Sequence, residues 1–520
     1  MYRNRKSRQK RRQRAVDEQV GQINKGLDGM MLSTVLEDNV AIMQNLFADV
    51  DVFQVRRLES RDGGLRFALM YCDGMINNEF VELSIVSPLL SASVPEGDAT
   101  DYLATQALKV TEIKKTGDIR EIVEGVSYGS TLLFVDGSAQ ALLMDTKHFV
   151  TRAIAEPESE RTLTGPREGF NEDLITNLTL LRRKVRSNEL KMKMRVFGRR
   201  TRTQACICYM DGLVNKSILA ELERRLDTVD IDGVLDTHYL EELIRDSRTS
   251  MFRTVGYTER PDVVVGKLLE GRIAVLVDGS PVALTVPYLF IENFQSSEDY
   301  YYNYYYSSFA RMLRIVGFFL TVMVPGLYIS IVAFHHEMLP TQLLINMATE
   351  RNSVPLPAAL EAVVMLLVFD LLRETGARMP GNVGQALSIV GALVIGQAAV
   401  EAKMVAAPMI IMVALTATTS LLVPKLNAPI IYVRFFLLFL ASMFGFYGLA
   451  LGASAVLIHV LNLRSFGVQV LTLTGDLSKH EVRDTWIRDP WWLMKLRPRI
   501  AADRARMQDN ANMQNAGGGQ

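Results

Sequence analysis

Apolar residues follow two different patterns along the chain. Up to about residue 300, short apolar runs such as residues 132–135 and 273–277 each end in Asp-Gly. Short runs of large and β-branched apolar residues that a turn dipeptide closes predict buried strands. Beyond about residue 311 the runs are much longer and predict helices over residues 312–334, 356–372, 383–400, 404–423 and 430–461.

The strand-rich part contains an internal duplication. Residues 71–74 (YCDG) match residues 209–212 (YMDG), and residues 133–138 (LFVDGS) match residues 276–280 (LVDGS) in the same order. After the second YMDG-type motif, residues 217–226 predict a helix that opens with Ser217 as its cap. The predicted fold class is therefore a soluble α/β region of two tandem duplicated lobes, followed by an α-helical transmembrane domain of four to five apolar helices.

These patterns divide the chain into six predicted segments. They are a basic disordered tail (1–35), a first lobe (36–160), a second lobe (161–300), a transmembrane domain (301–465), a cytoplasmic carboxy-terminal segment (466–507) and a disordered tail (508–520). Two interpretations of the paired lobes remain: they close over a ligand between them, since pockets favour domain interfaces, or they scaffold an oligomer.

Length separates the five apolar segments. A hydrocarbon core of ~30 Å needs about 20 helical residues, which the first, third, fourth and fifth segments supply. The second segment carries Glu361 and Asp370, and each charge costs about 2.5–3.5 kcal/mol at the centre of a spanning helix. We therefore expect that segment to be re-entrant, interfacial or facing the helix bundle. Four spans put both ends of the chain on the same side.

The distribution of basic residues predicts on which side of the membrane the two ends lie. The formal net charge is zero, but basic residues crowd positions 3–14 and 483–506. This is a positive-inside pattern, and it predicts that both termini are cytoplasmic. No apolar core follows the first basic run, which argues against a secretory signal. The amino-terminal tail is interpreted as a solvated arm, or as a contact for anionic lipid or nucleic acid; no nucleic-acid partner is predicted for the chain.

The sequence carries none of the common catalytic motifs. The sequence contains no phosphate loop, no Gly-rich dinucleotide turn and no nucleophile elbow, and its six histidines are scattered. His335 and His336 are adjacent rather than at the helical spacing of zinc ligands. We predict no enzymatic activity, no cofactor and no metal site.

Seven motifs follow one another in a fixed order. They are residues 165–174 (GPREGFNEDL), 181–184 (LRRK), 198–201 (GRRT), 258–262 (TERPD), 268–272 (LLEGR), 294–300 (FQSSEDY) and 388–397 (SIVGALVIGQ). Together they resemble the GerA family, the A subunits of bacterial spore germinant receptors, over about residues 165–498. The chain departs from the family pattern at Leu366 and Asp370, where members often carry glutamates.

The resemblance implies a location and partners. Members are multi-pass proteins of the spore inner membrane that act with a transporter-like membrane B subunit and a lipoprotein C subunit. They are thought to form homo-oligomers and to release monovalent cations when small-molecule germinants are sensed. Two alternatives stay open: a non-conducting scaffold subunit, and an A-like sporulation membrane protein that acts outside the receptor. A secondary transporter is disfavoured, because the duplication is confined to the lobes.

The third apolar segment is the predicted pore helix. Gly391 and Gly396 permit close helix packing, and helical geometry puts four residues on one stripe. The pore-lining candidates are Val390, Val394, Gln397 and Glu401. Rings of valine gate by dewetting and rings of glutamate attract cations. The alternative is that the glycines only pack and that Glu401 pairs with Lys403 or reaches the membrane interface.

Two further groups complete the predicted site. A membrane polar network is expected to pair with protein rather than to face lipid, and its members are Glu361, Asp370, Arg373, Glu374 and Arg378. A hinge is expected at Pro355 and Pro357, because proline interrupts the helical hydrogen-bond pattern.

Overall fold

A computed structural model describes residues 32–61, 64–92, 99–147, 157, 160–378, 391, 394–471, 484–494 and 497. The chain forms two compact units. The α/β unit contains Met1–Arg245, Val255–Pro287 and Trp491–Gln520. The helical unit contains Asp246–Thr254 and Tyr288–Pro490.

The first lobe of the α/β unit is a five-stranded antiparallel sheet with the strand order β1-β2-β4-β5-β3. Its strands are β1 Phe53–Glu59, β2 Arg66–Cys72, β3 Ile113–Thr116, β4 Thr131–Val135 and β5 Ala141–Met144, and its helices are α1 Leu36–Leu46, α2 Asn78–Val81, α3 Ser87–Ser91, α4 Ala99–Tyr102 and α5 Ile119–Ser127. Every residue of β4 is buried. Leu132 and Phe134 enter one core while Leu133 and Val135 enter another, so this strand is covered on both faces.

The second lobe repeats this architecture. Its sheet order, β6-β7-β9-β10-β8, is the order of the first lobe, strand for strand. Its strands are β6 Leu190–Phe197, β7 Thr203–Met210, β8 Gly256–Thr258, β9 Ile273–Val277 and β10 Ala283–Val286, and its helices are α6 Leu174–Lys184, α7 Lys216–Asp227, α8 Thr237–Ile244 and α9 Pro261–Leu269. The predicted α/β region is thus confirmed, and its two halves share one topology.

The matched Asp-Gly motifs explain how both lobes turn at the same places. Gly74, Gly137, Gly212 and Gly279 all have φ between 78° and 87°, a conformation that residues with a Cβ rarely adopt. The helix after each YxDG turn is also capped alike, because Asn77 accepts from Phe80 N and Asn215 accepts from Ser217 N. The predicted cap at Ser217 was therefore wrong: the cap is Asn215, two residues earlier, because its side-chain oxygen accepts the hydrogen bond from the Ser217 amide.

The two lobes share a core. Val50 forms a parallel bridge with Met192, and Asp51 N donates to Met192 O at 3.0 Å. Apolar residues of both lobes, among them Met43, Leu181 and Cys206, join one buried cluster. The lobes are therefore one folded body.

The helical unit contains α10 Tyr304–Ala333, α11 Thr341–Asn352, α12 Ala358–Ala377, α13 Ala407–Ser420, α14 Asn427–Asn462 and a small hairpin of β11 Arg464–Ser465 and β12 Val468–Gln469. Residues 394–401 are also helical. Among the described helices, Tyr304–Ala333 and Pro424–Asn462 are long and apolar enough to cross a membrane. The count of four to five such helices is not reached among the described residues, because α13 has only 14 residues, about 21 Å of helix.

The α14 segment is a helical hairpin. Gly445 has φ 59° and ψ −137°, outside the helical region. A Cβ on Gly452 would lie 2.6 Å from Leu437 Cδ2, whereas these residues would stand about 22 Å apart in a straight helix. The fifth apolar segment, expected as one helix, is thus two antiparallel arms, residues 427–444 and 446–462. An unbroken apolar run carries no mark of the reversal except its glycines.

Contacts along α10 fix the direction of the other helices. Ile315, near the start of α10, joins Ile430 and Val460, so both arms of α14 have their open ends at this end of the unit. Gly445 lies against Phe334 and His335, at the other end. The first residues of α12 and α13 join Ile329 and Val332 there. Both helices therefore run antiparallel to α10.

Candidate functional site

The predicted pore-lining residues occupy one exposed face as far as they are described. Val390 lies outside the described residues. Val394 is 58% exposed, Gln397 and Glu401 are exposed, and Gln397 Nε2 donates to Glu401 Oε1 at 3.2 Å. Gly396 is buried, and a Cβ there would lie 3.5 Å from Ile410 of α13. A Cβ on Gly391 would lie 3.3 Å from Leu372 Cδ2 of α12, so the two glycines lie against α12 and α13.

Glu361 has a separate, structural position. Its side chain is buried, and Oε1 accepts a hydrogen bond from Ala406 N at 2.6 Å. Ala406 is the residue before α13, so the carboxylate satisfies one of the amides that the start of a helix leaves without a partner. Glu361 thereby holds α12 against the start of α13.

Asp370 forms an ion pair that the sequence did not reveal. Its Oδ2 lies 2.5 Å from Nη2 of Arg434, on the first arm of α14, and its Oδ1 lies 3.5 Å from Arg373 Nη2. The Arg434 side chain is 0% exposed. Its position as the only basic residue of the apolar run 430–458 was a signal, because a lone arginine there needs an acidic partner.

The remaining network residues stand apart. Glu374 Oε1 lies 2.6 Å from Arg378 Nη2, and both side chains are exposed. They pair with each other, one helical turn apart, while Asp370 pairs with Arg373 and Arg434. The five predicted residues therefore form three separate groups. Leu366, the departure from the family pattern, is buried in an apolar cluster with Met365 and Leu438.

The two hinge candidates lie in the connection between α11 and α12. Pro357 is the residue before α12 and has an extended backbone. Pro355 lies within residues 354–357, which form neither helix nor strand. The connection, residues 353–357, is therefore short, and proline restricts its backbone at two of its five residues.

A second buried polar cluster lies at the start of α10. Asp299 is 2% exposed, and its carboxylate lies 2.7 Å from Arg314 Nη2 and 3.3 Å from Arg311 Nε. Arg311 Nη1 also donates to Asp484 O at 2.7 Å, and Tyr300 OH donates to Asp484 Oδ2 at 2.8 Å. This cluster fastens Asp484 to the start of α10. Its sequence signal was the acid of the FQSSEDY motif, followed by arginines three residues apart.

A family model matches a region that includes most of the α/β unit and the whole of the helical unit. The sequence model described as "Bacillus/Clostridium GerA spore germination protein" matches residues 41–500. The chain belongs to the GerA family. All eleven predicted site residues fall inside the matched region.

GerA-family relatives match almost the whole chain. Spore germination protein KA of Bacillus subtilis (strain 168) is 37% identical over 90% of this chain and 87% of its own length. Spore germination protein B1 of the same strain is 34% identical over 90% of this chain and 98% of its own. The uncharacterized membrane protein YfkQ, again of that strain, is 37% identical over 84% of this chain and 85% of its own length.

A solved structure also matches. It is the crystal structure of the N-terminal domain of the A subunit of the Bacillus megaterium spore germinant receptor GerK3, 27% identical to this GerA-family chain. The match covers 50% of this chain and 98% of that one, with a TM-score of 0.41.

Cavities among the described residues of the α/β unit bear on ligand binding. One of ≈ 120 Å³ lies between the lobes and is lined by Tyr128, Glu168, Arg183, Lys184 and Arg186. The Arg186 guanidinium stacks 3.5 Å from the centre of the Tyr128 ring and fills part of this space. A larger, polar cavity of ≈ 460 Å³ lies within the first lobe, beside Arg56 and Glu82. Ligand binding between the lobes and the scaffolding of an oligomer both stay predictions.

Proposed function

We propose that this chain is the A-type membrane subunit of a spore germinant receptor, and that it responds to small-molecule germinants as an oligomeric cation channel or its gating subunit. The observation that carries the proposal is the family match over residues 41–500, with relatives named as spore germination proteins across the same length. Its proposed partners are a transporter-like B subunit, a lipoprotein C subunit, further copies of itself and monovalent cations. Its proposed location is the spore inner membrane, with both termini cytoplasmic.

The proposed topology has six crossings rather than four. They are α10, α12, the helix that includes residues 394–401, α13 together with its apolar flanks (residues 404–423), and the two arms of α14. The antiparallel courses of α10, α12 and α13 support it, as does the reversal at Gly445. Six crossings, like four, return the chain to the side from which it started.

The proposed cation path runs along the stripe of Val390, Val394, Gln397 and Glu401. Exposure of the last three in the single chain supports this, because a lining face becomes enclosed only when copies assemble around it. Valine side chains then form the apolar constriction, and Glu401 attracts cations at one mouth. The pairing of Gln397 with Glu401 leaves the carboxylate charge in place.

The polar residues of α12 are proposed to hold this helix while its surroundings move. Glu361 ties it to α13 and Asp370 ties it to the first arm of α14. Glu374 and Arg378 form an exposed pair near its end. Pro355 and Pro357 are proposed as the hinge that lets α12 shift against α11.

An A-like role outside a receptor is the second candidate. The specific observation in its favour is that YfkQ, described only as an uncharacterized membrane protein, is as identical to this chain as spore germination protein KA. A non-conducting scaffold remains the alternative for either role.

The test uses spores. We would compare a deletion strain with strains that carry the wild type, Glu401→Gln or Glu337→Gln, an exposed glutamate outside the stripe. Potassium release is measured after addition of single amino acids, sugars and nucleosides. We expect the deletion to remove the response to at least one compound, Glu401→Gln to slow release, and Glu337→Gln to leave it unchanged.

The outcomes separate the candidates. A deletion strain that responds to every compound like the wild type contradicts the receptor role and favours the A-like role. A lost response in the deletion strain with unchanged release in Glu401→Gln keeps the receptor role and removes the stripe from the cation path.

A further inference from the structure

One buried hydroxyl joins three distant parts of the chain. Ser465, in β11, is 0% exposed. Its Oγ accepts a hydrogen bond from Tyr288 N at 2.9 Å and donates one to Thr254 O at 2.6 Å. Thr254 and Tyr288 are two of the residues at which the chain passes between its units: Asp246–Thr254 belongs to the helical unit, Val255–Pro287 to the α/β unit, and Tyr288 begins the helical unit again.

Ser465 bonds to the residues that flank one segment of the α/β unit, residues 255–287. Residues 255–287 contain β8, α9, β9 and β10, the second half of the second lobe. The residues on either side of this segment, Thr254 and Tyr288, both form a hydrogen bond with the Ser465 hydroxyl. Ser465 also follows the end of α14 by three residues, so a short stretch of backbone joins this hydroxyl to the second arm of the hairpin.

The segment 246–254 adds contacts on the same arm. Ser250 Oγ and His459 Nε2, on the last turns of α14, lie 2.9 Å apart. Asp246 Oδ2 accepts from Phe466 N at 2.8 Å. Phe252 is 4% exposed and packs with Val460 and Leu463 in one apolar cluster. Nine residues that interrupt the sequence of the second lobe are thus anchored to the end of one helix.

A hydroxyl in this setting resists replacement. The two backbone groups that it satisfies are buried, and a buried amide or carbonyl that loses its partner keeps its full desolvation cost. Because packed interiors deform little, a displacement of one of these hydrogen-bonded groups moves the others with it.

We propose that Ser465 is a positioning residue that couples the second half of the second lobe, residues 255–287, to the second arm of α14. A rearrangement of β9 and β10 moves Thr254 and Tyr288 together, and Ser465 passes this movement to the end of the arm. The inference goes beyond the proposed function and does not rest on ion conduction.

The test is a double-mutant cycle read by hydrogen exchange on the full chain in lipid nanodiscs. Val275→Ala loosens β9 at a fully buried position, and exchange is followed in residues 456–471. We expect Val275→Ala to raise exchange there about fivefold in the wild type, the low end of typical coupling between sites. In Ser465→Ala the same change is expected to leave exchange in residues 456–471 unaltered.

Controls keep the result specific. Ser454→Ala removes an exposed serine on the same arm whose hydroxyl donates to Ala450 O of its own helix, and the fivefold response should persist. Ser465→Thr keeps the hydroxyl and should restore the response. Ser465→Cys, which weakens both hydrogen bonds at similar volume, replaces Ser465→Ala if that variant does not fold. An equal response in the wild type and in the Ser465 variant, or no response in the wild type, overturns the proposal.

Discussion

At the scale of single residues, buried charge sets the strongest requirements in the helical unit. The Arg434 guanidinium is completely buried, and Asp370 is the carboxylate beside it among the described residues. Two of its nitrogens, Nε and Nη1, have no hydrogen-bond partner there. An arginine in this position depends on the charge of Asp370, since an isolated buried ion is far costlier than a buried pair.

This dependence gives a prediction for a single and a double variant. Asp370→Leu leaves Arg434 buried without a counter-charge and should lower the free energy of unfolding by about 3–5 kcal/mol. Asp370→Leu combined with Arg434→Leu should recover most of that loss, because apolar residues of similar volume replace a buried pair at little cost. Unfolding by denaturing detergent measures both. Glu374→Leu, in an exposed pair, is the control and should change little; a double variant as unstable as the single one would refute the pairing argument.

A second residue prediction concerns acid. Hydrogen bonds from Arg224, and then from Arg225, lower the pKa of Glu221 from its ordinary 4.5 to about 2. A depressed pKa means that the unfolded chain binds the proton first, so this stabilisation is complete above about pH 4.5 and is lost as the pH falls towards 2.

The expected size is small because Arg224 is exposed and Glu221 is only partly buried, so solvent screens the pair. Glu221→Gln should cost about 0.5 kcal/mol at pH 7, and its difference from the wild type should disappear near pH 2. Calorimetry of the full chain in detergent, read at the transition of the α/β unit, gives both values. Glu242→Gln, an exposed change on the neighbouring helix α8, should show no such pH dependence; a difference that persists at pH 2 would speak against the arginine contacts.

Half of the buried ion pair was visible in the sequence. Asp370 was recognised because a carboxylate is expensive in an apolar helix, whereas its partner Arg434 is 64 residues away. Nothing local selects one distant arginine over another. The sequence predicts one network for Glu361 and Asp370 because both charges are costly in the same apolar segment, but Glu361 contacts the start of α13 and Asp370 contacts α14. Sequence spacing predicts the face of a helix and leaves open which helix lies opposite.

At the scale of elements, glycine decides the course of α14. Gly445 has the backbone conformation that turns the chain, and a Cβ there would lie 3.0 Å from Phe334 Cγ. Gly448 and Gly452 let the arms approach, since a Cβ on Gly448 would lie 2.0 Å from Leu440 O. Small residues at such crossings allow helix backbones to pack closely.

The hairpin predicts the sign of a substitution. Gly445→Ala should destabilise the chain by about 1–3 kcal/mol, because a residue with a Cβ is strained in this conformation. In one continuous helix the same change would stabilise by about 1 kcal/mol. Thermal unfolding in detergent distinguishes them, with Gly266→Ala in α9, where a Cβ meets no atom within 4 Å, as the matched control. A stabilising Gly445→Ala would show that residues 427–462 do not reverse.

The sequence predicted some elements well and missed others, and the difference has a physical reason. The Asp-Gly turns, the paired lobes and the apolar helices follow from local rules, and four of the five apolar segments coincide with described helices. The reversal at Gly445 was missed because both arms are apolar, so the pattern of hydrophobicity continues across the turn. The short α13 was overestimated because its flanks, such as Val405 and Val423, are apolar without being helical.

At the scale of the whole molecule, two units share one chain that passes between them several times. The boundary at residue 300 that composition suggested differs from this division, because residues 246–254 lie in the lobe's sequence and in the helical unit. Composition detects apolar length and misses a short polar segment that tertiary contacts recruit. The family model matches residues of both units.

Ion flux from liposomes that contain the purified chain tests the central proposal most directly. We predict potassium leakage above that of empty liposomes, increased by Val394→Ala and reduced by Glu401→Gln. Two controls should leak like the wild type: Ile411→Ala, an exposed apolar change on α13, and Glu337→Gln. Leakage no greater than from empty liposomes, by an oligomer that is verified to be inserted, would contradict a channel formed by this chain alone and favour the scaffold.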